Sequence, residues 1–176
     1  MDISATWISN LGGSLDSIEK LLTATTYILG LFFAFKAIYA FKVYGEQRTM
    51  MSSNSSIKEP ILNFIVAAGL LYFPSMVDVF LMTTFGSTNI LSYDQLNSNV
   101  SDYFSVANGG QALIQFLQVI GIIAFIRGWL LLARSASHGQ QPGGMGKGVI
   151  HICGGVLMVN IVETINIFYN TLFGGG

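Results

Sequence analysis

Charge is scarce in this sequence. Only 10% of its 176 residues are Asp, Glu, Lys or Arg, and eight basic side chains against nine acidic ones leave a formal net charge of −1. So neutral a balance gives no global attraction to nucleic acid, and any DNA must be handled by local groups or by other proteins. The single cysteine, Cys153, excludes an intrachain disulfide framework and a multi-cysteine metal centre; inside a hydrophobic stretch it reads as a small buried apolar residue. The two histidines, His138 and His151, stand thirteen apart, without the spacing that puts two metal ligands on one helical face. No G-x-S-x-G elbow or comparable nucleophile signature occurs, so nothing points to an enzyme. The run Gly143 to Gly148 fails as a phosphate loop, because the first glycine of G-x-x-x-x-G-K-[ST] falls on Gln141 and the closing hydroxyl on Gly148. It reads as a flexible basic turn whose Lys147 and glycine amides can hold a lipid phosphate. No cofactor is expected other than bound phospholipid. No secretory signal is expected either: Asp2 stands where a basic start would be and no Lys or Arg precedes Lys20, so the first hydrophobic segment is expected to be a retained membrane helix.

Apolar surface is abundant instead. Hydrophobic residues make up 52% of the chain, and four stretches meet the roughly 20 apolar residues that a membrane span requires: Leu21 to Tyr44, Ile61 to Phe85, Ala112 to Ala133 and Val149 to Phe173. The expected fold class is all-α, a polytopic membrane protein with four transmembrane helices as two antiparallel hairpins plus an N-terminal amphipathic helix. The boundaries are an amphipathic segment 1–20, a first hairpin 21–85 with a basic turn 45–60, a polar loop 86–110, and a second hairpin 111–173 with a Gly-rich basic turn 134–148. In the N-terminal segment Ile3, Trp7, Leu11, Leu15 and Ile18 recur at helical spacing; this suits a membrane surface or a neighbouring subunit equally. Gly12 and Gly13 are expected to break or bend it.

Basic residues concentrate at one end of the hairpins. Lys42, Arg48 and Lys58 fall at the first turn, Arg134 and Lys147 at the second, and Lys36 and Arg127 on the helix halves leading into them. Only Lys20 lies on the other side, among Asp2, Asp16, Glu19, Asp94 and Asp102. The positive-inside rule then puts both turns in the cytoplasm and the termini and middle loop in the periplasm. Those seven cations are the candidates for contact with lipid headgroups or a lumen.

The two halves share one plan of helix, basic loop and helix. Lys36 on the leading helix and Asp78 on the returning one are matched by Arg127 and Glu163. The identity between halves is weak, and positive-inside selection acting twice accounts for the plan as well as duplication does. A charge near the middle of a span costs about 2.5–3.5 kcal/mol on insertion scales. Lys36 and Arg127 can snorkel; Asp78 and Glu163 are too short, and are expected in a polar seam, paired, or protonated. Gln115 and Gln118 on the third span, and Asn160 with Glu163, Asn166 and Asn170 on the fourth, form polar stripes. Asp78, Gln115, Gln118, Asn160 and Glu163 are therefore candidates for intramembrane polar packing between helices or subunits. Pro74 should kink the second span.

The segments FKAIYAFKVYGEQRTMMSS and LLARSASHGQQPGGMGKGVIHICGGVLMVNI resemble the small inner-membrane proteins of type IVB systems, the TraQ-type conjugal transfer proteins of IncI-like plasmids and the related IcmC and IcmD proteins of Dot/Icm secretion. The resemblance spans essentially the whole chain, and its distinctive part is the Gly-rich turn entering a Gly-Gly-containing last helix. It implies a non-enzymatic part of an envelope-spanning apparatus in the bacterial inner membrane, with other secretion subunits as partners and transferred DNA or protein met only indirectly. Each half is also similar to a VirB-type conjugative pilin, a helical hairpin with a basic turn. That similarity implies a homo-oligomer, bound phospholipid and assembly into a pilus, although this chain is twice a pilin's length. A small ion or solute transporter is a third expectation, resting on Asp78 and Glu163.

Overall fold

The computed structural model describes residues 3–49, 56–98, 101, 110–135 and 144–174. In chain order these form α1 (Ile3–Thr49), α2 (Lys58–Leu71), α3 (Phe73–Phe85), a short 3-10 turn (Tyr93–Gln95), α4 (Gly110–Ser135), α5 (Gly144–Val159) and α6 (Ile161–Phe173). The described residues are all-helical, without strands. Two helices, α1 over Gly13–Thr49 and α4, are long and apolar enough to cross a membrane; α2 with α3, and α5 with α6, add two more if each bent pair is one span.

Three boundaries differ from the sequence reading. The segment 1–20 and the span expected from Leu21 are one continuous helix, and Gly12 and Gly13 do not interrupt it. A glycine costs only about 1 kcal/mol in a helix interior, which cooperative extension on both sides outweighs. At 47 residues α1 is about 70 Å long, more than twice the roughly 30 Å hydrocarbon thickness. The side chains of residues 3–12, which carry most of the amphipathic pattern, lie outside the described set, as do His138 and Gly143. Finally, the basic turns are shorter than 45–60 and 134–148: α1 continues to Thr49, and the Gly-rich run is already helical from Gly144.

The second and fourth hydrophobic segments are not straight. α2 and α3 meet at 91°, α5 and α6 at 89°. Pro74 accounts for the first bend: it lacks the N–H that would reach the Leu70 carbonyl, and its ring crowds that carbonyl. The second bend has no proline, and its pivot is Asn160 (φ −111°, ψ 57°). Both pivots keep the same backbone bonds. Tyr72 donates to Ala68 (3.0 Å) and accepts from Met76 (2.8 Å), while Asn160 donates to Val156 (3.3 Å) and accepts from Thr164 (3.0 Å).

Counting from these pivots exposes an internal repeat. Tyr72 and Asn160 are 88 residues apart, and at that offset VDVFLMTTFG (77–86) matches INIFYNTLFG (165–174). Both stretches end on a glycine of positive φ, Gly86 at 74° and Gly174 at 64°. Thr83 and Thr171 each donate to the carbonyl four residues back at 2.7 Å. On the long helices, 91 residues apart, ILGLFFAFK (28–36) matches VIGIIAFIR (119–127). The glycine of each admits the partner helix just before its pivot. A Cβ on Gly30 would lie 2.9 Å from the Leu71 nitrogen, and one on Gly121 2.6 Å from the Val159 nitrogen. Lys36 and Arg127 therefore correspond as expected, but the counterpart of Asp78 is Asn166, not Glu163, because both stand six residues beyond a pivot.

The chain forms two compact units. The first (Met1–Leu22, Val77–Ala124, Gly154–Gly176) packs Leu96, Ile114 and Val162 at its centre, with Leu91, Ile161 and Ile165 around them. The second (Thr23–Met76, Phe125–Cys153) is built on edge-to-face rings, Phe73 on Phe125 and Phe125 on Trp129. Their charges are opposite: the second holds seven of the eight basic residues and two acids, the first one basic residue and seven acids.

Candidate functional site

In the first unit the polar side chains of α4 and α6 converge on the connection after α3. Asn160 is fully buried. Its Oδ1 accepts from the Leu91 N–H (3.1 Å) and its Nδ2 donates to the Asn89 carbonyl (3.2 Å). Asn166 repeats this six residues on, accepting from Asn97 N–H at 3.0 Å and donating to the Gln95 carbonyl at 3.1 Å. Each amide bonds the carbonyl of one residue and the N–H of the residue two further on. Gln118 adds a longer donation to the Leu91 carbonyl (3.4 Å).

This arrangement explains the second bend. Turning at Asn160 removes the helical partner of the Leu157 carbonyl, and the Thr164 hydroxyl takes that place at 2.8 Å while also reaching the Asn160 carbonyl at 3.0 Å. The non-helical backbone of residues 89–97 is thereby tied to α6, with Asn160 and Asn166 supplying partners for the Asn89 and Gln95 carbonyls and the Leu91 and Asn97 N–H groups. Leu91 and Leu96 then enter the apolar centre of the unit.

The other sequence candidates lie elsewhere. Gln115 lines a small cavity of about 90 Å³ with Leu15, Glu19, Gln118 and Val119. Asp78 is exposed on α3. Glu163 is half-buried in the first turn of α6, where the helix dipole favours a negative charge. Of the five polar candidates, Gln118 and Asn160 meet at the clamped segment; Asp78 and Glu163 do not join them. Asn166 had appeared only as one member of a stripe, since spacing along one helix cannot reveal which backbone it bonds.

All seven basic candidates belong to the second unit. Lys36 lines an open cleft of about 320 Å³ between α1 and α2, walled by Tyr39, Val43, Tyr44, Gln47 and Glu59. Its ammonium stands 6.0 Å from the centre of the Phe33 ring, a weak cation–π distance. Lys42 pairs with Glu46 at 3.7 Å, and Arg48 donates to the Tyr44 hydroxyl at 3.1 Å. Lys58, Arg127, Arg134 and Lys147 are exposed. Lys36 is the one that the fold builds into a concavity with aromatic walls and hydrogen-bonding groups.

Two buried polar groups of this unit stand apart. Asn63 is fully buried with both amide atoms unpaired, and the indole Nε1 of Trp129 is buried and unpaired as well. No group of His, Cys, Asp and Glu side chains among the described residues is placed to hold a metal ion. No family model, no curated protein and no solved structure matches the chain.

Proposed function

We propose that this chain is a structural, non-enzymatic subunit of a bacterial conjugation or type IV secretion apparatus, seated in the inner membrane and oligomerising into a conjugative pilus or transfer channel. The observation that carries the proposal is the repeated unit of long apolar helix, basic turn and returning helix. It supports a membrane building block, with cations gathered in one compact unit and acids in the other, and the resemblance of the two turn segments to TraQ, IcmC and IcmD proteins supplies the machine. Phospholipid is its ligand, with the Lys36 cleft as the seat for a headgroup. Other secretion subunits are its protein partners, and cargo is met through them.

The right-angle bends favour a second reading within the same machine, a non-filament inner-membrane assembly component, because a pilin hairpin is two helices joined by a basic turn and each returning segment here is broken into two. Deleting the gene from a transfer-proficient plasmid should abolish conjugation, with recovery on complementation. Sheared extracellular filaments should contain the protein if it is a pilin; its retention in inner membranes with filaments free of it selects the second reading, and undiminished transfer rejects both. A small transporter is the least supported reading, since the groups freed at the second bend bond within the chain. Liposome flux lost in Asp78→Asn or Glu163→Gln would restore it.

A further inference from the structure

The internal repeat identifies a face whose counterpart is covered and which is itself bare. On α4, Val119, Ile122, Ile126 and Trp129 form one helical stripe, 6–8% exposed. Their counterparts 91 residues earlier on α1 are Ile28, Leu31, Phe35 and Ile38, which are 53–71% exposed. The chemistry of the stripe is retained and its cover is missing.

At its Trp129 end the cover is a helix of the first repeat. The Trp129 ring lies against Gly69 of α2, where an added Cβ would meet ring carbons at 2.8–2.9 Å, and Phe125 packs on Phe73. The broken helix of the first repeat thus covers the long helix of the second at Phe125 and Trp129. One more step of the same kind requires the broken helix of a second repeat to cover the α1 stripe, and this chain's own α5 is engaged with α4: Cβ atoms on Gly121 and Gly128 would collide with Val159 and Ile152.

We infer that a second copy of this chain covers the stripe, its α5 face lying on the neighbour's α1 in a head-to-tail contact that continues the in-chain packing. The sizes agree. Gly69 beneath Trp129 becomes Leu157 against Ile38, a large ring over no side chain replaced by two aliphatic ones of middle size. Phe73 against Phe125 becomes Ile161 against Ala34. Leu157 is itself 38% exposed, and beside it Gly154 has open space where a Cβ would be, so a helix can approach closely there. By contrast Phe32 and its counterpart Ile123 are exposed in both repeats, the pattern expected of lipid contact. A head-to-tail contact closes into a ring or continues as a filament. This inference deepens the proposed oligomeric role, but its geometry rests on the repeat and not on the secretion resemblance.

Disulfide trapping in native membranes tests it. In a Cys153→Ser background, a chain carrying both Ile38→Cys and Leu157→Cys should convert under mild oxidation into a ladder of two, three and more chain masses. Two coexpressed chains carrying one cysteine each should stop at the dimer, and Phe32→Cys with Leu157→Cys should give no ladder. Absence of intermolecular bands from the Ile38/Leu157 pair means that lipid covers the stripe and overturns the inference. A dimer from Ile38→Cys alone indicates a two-fold contact and also overturns it. Loss of the ladder while plasmid transfer still depends on the gene removes this interface and leaves the proposed function standing.

Discussion

The first and second repeats share a plan and differ in what surrounds them. Both pair a long glycine-bearing helix with a helix bent near 90°. In the second repeat the pivot, Asn160, is buried and binds a connecting segment, and the long helix is covered. In the first the pivot, Tyr72, is 67% exposed and the matching stripe of the long helix, Ile28 to Ile38, is bare. The same backbone geometry is therefore reached by two routes, proline chemistry at one bend and side-chain hydrogen bonds at the other. Packing surface that one repeat uses inside the chain is left outward by the other.

Substitutions at paired positions test that contrast. The largest effect is expected at Gly121, where a leucine would drive into the Val159 nitrogen and Gly155 carbonyl. The cost should reach about 3 kcal/mol, the upper end for overpacking, read as a lowered unfolding midpoint in detergent. Gly30→Leu should cost less, because the Leu71 side chain among its nearest atoms can move. Next is Asn160→Ala, which removes the partner of the Leu91 N–H and of the Asn89 carbonyl; at about 0.5–1.5 kcal/mol net for each lost bond, unfolding should come measurably earlier. Tyr72→Ala should stay within about 0.5 kcal/mol, as exposed substitutions do. Equal losses at the two pivots would refute the two-route explanation.

A gain is expected at Asn63. Replacing its buried, unpaired amide by leucine should stabilise the fold by about 1–3 kcal/mol. Its counterpart His151 is only half-buried and has its Nδ1 2.7 Å from the Lys147 carbonyl, so His151→Leu should bring no such gain. A lower midpoint for Asn63→Leu would reveal a polar partner at that amide. Exposed Pro74→Ala, like Tyr72→Ala, should change stability by no more than about 0.5 kcal/mol. Spin labels at Ile61 and Met82 should nevertheless move apart as the bend relaxes; an unchanged distance would assign the bend to packing instead of proline.

Hydropathy made the helical segments legible, and Pro74 marked a bend in advance. The other bend was hidden because Asn160 breaks its helix through bonds to residues 89 and 91, and no local signal announces a partner some 70 residues away. Gly12, Gly13 and the run from Gly144 looked like breakers, yet isolated glycines cost a helix little when its neighbours carry it through. The repeat was half-visible in Lys36 and Arg127. Its true register needed the two pivots, because matching charge to charge pairs Asp78 with Glu163, whereas the residue that occupies the equivalent position is the uncharged Asn166, three residues further on. The polar stripe on the last span was plain in sequence, while its role in holding the backbone of residues 89–97 was not.

The most direct measurement is an electron micrograph of the intact protein purified with native lipid. Head-to-tail packing of repeated hairpins predicts closed rings or filaments in which the hairpin is the recurring unit, appearing twice per chain. Uniform particles of a single chain, with the α1 stripe reactive to membrane-soluble labels, would contradict it.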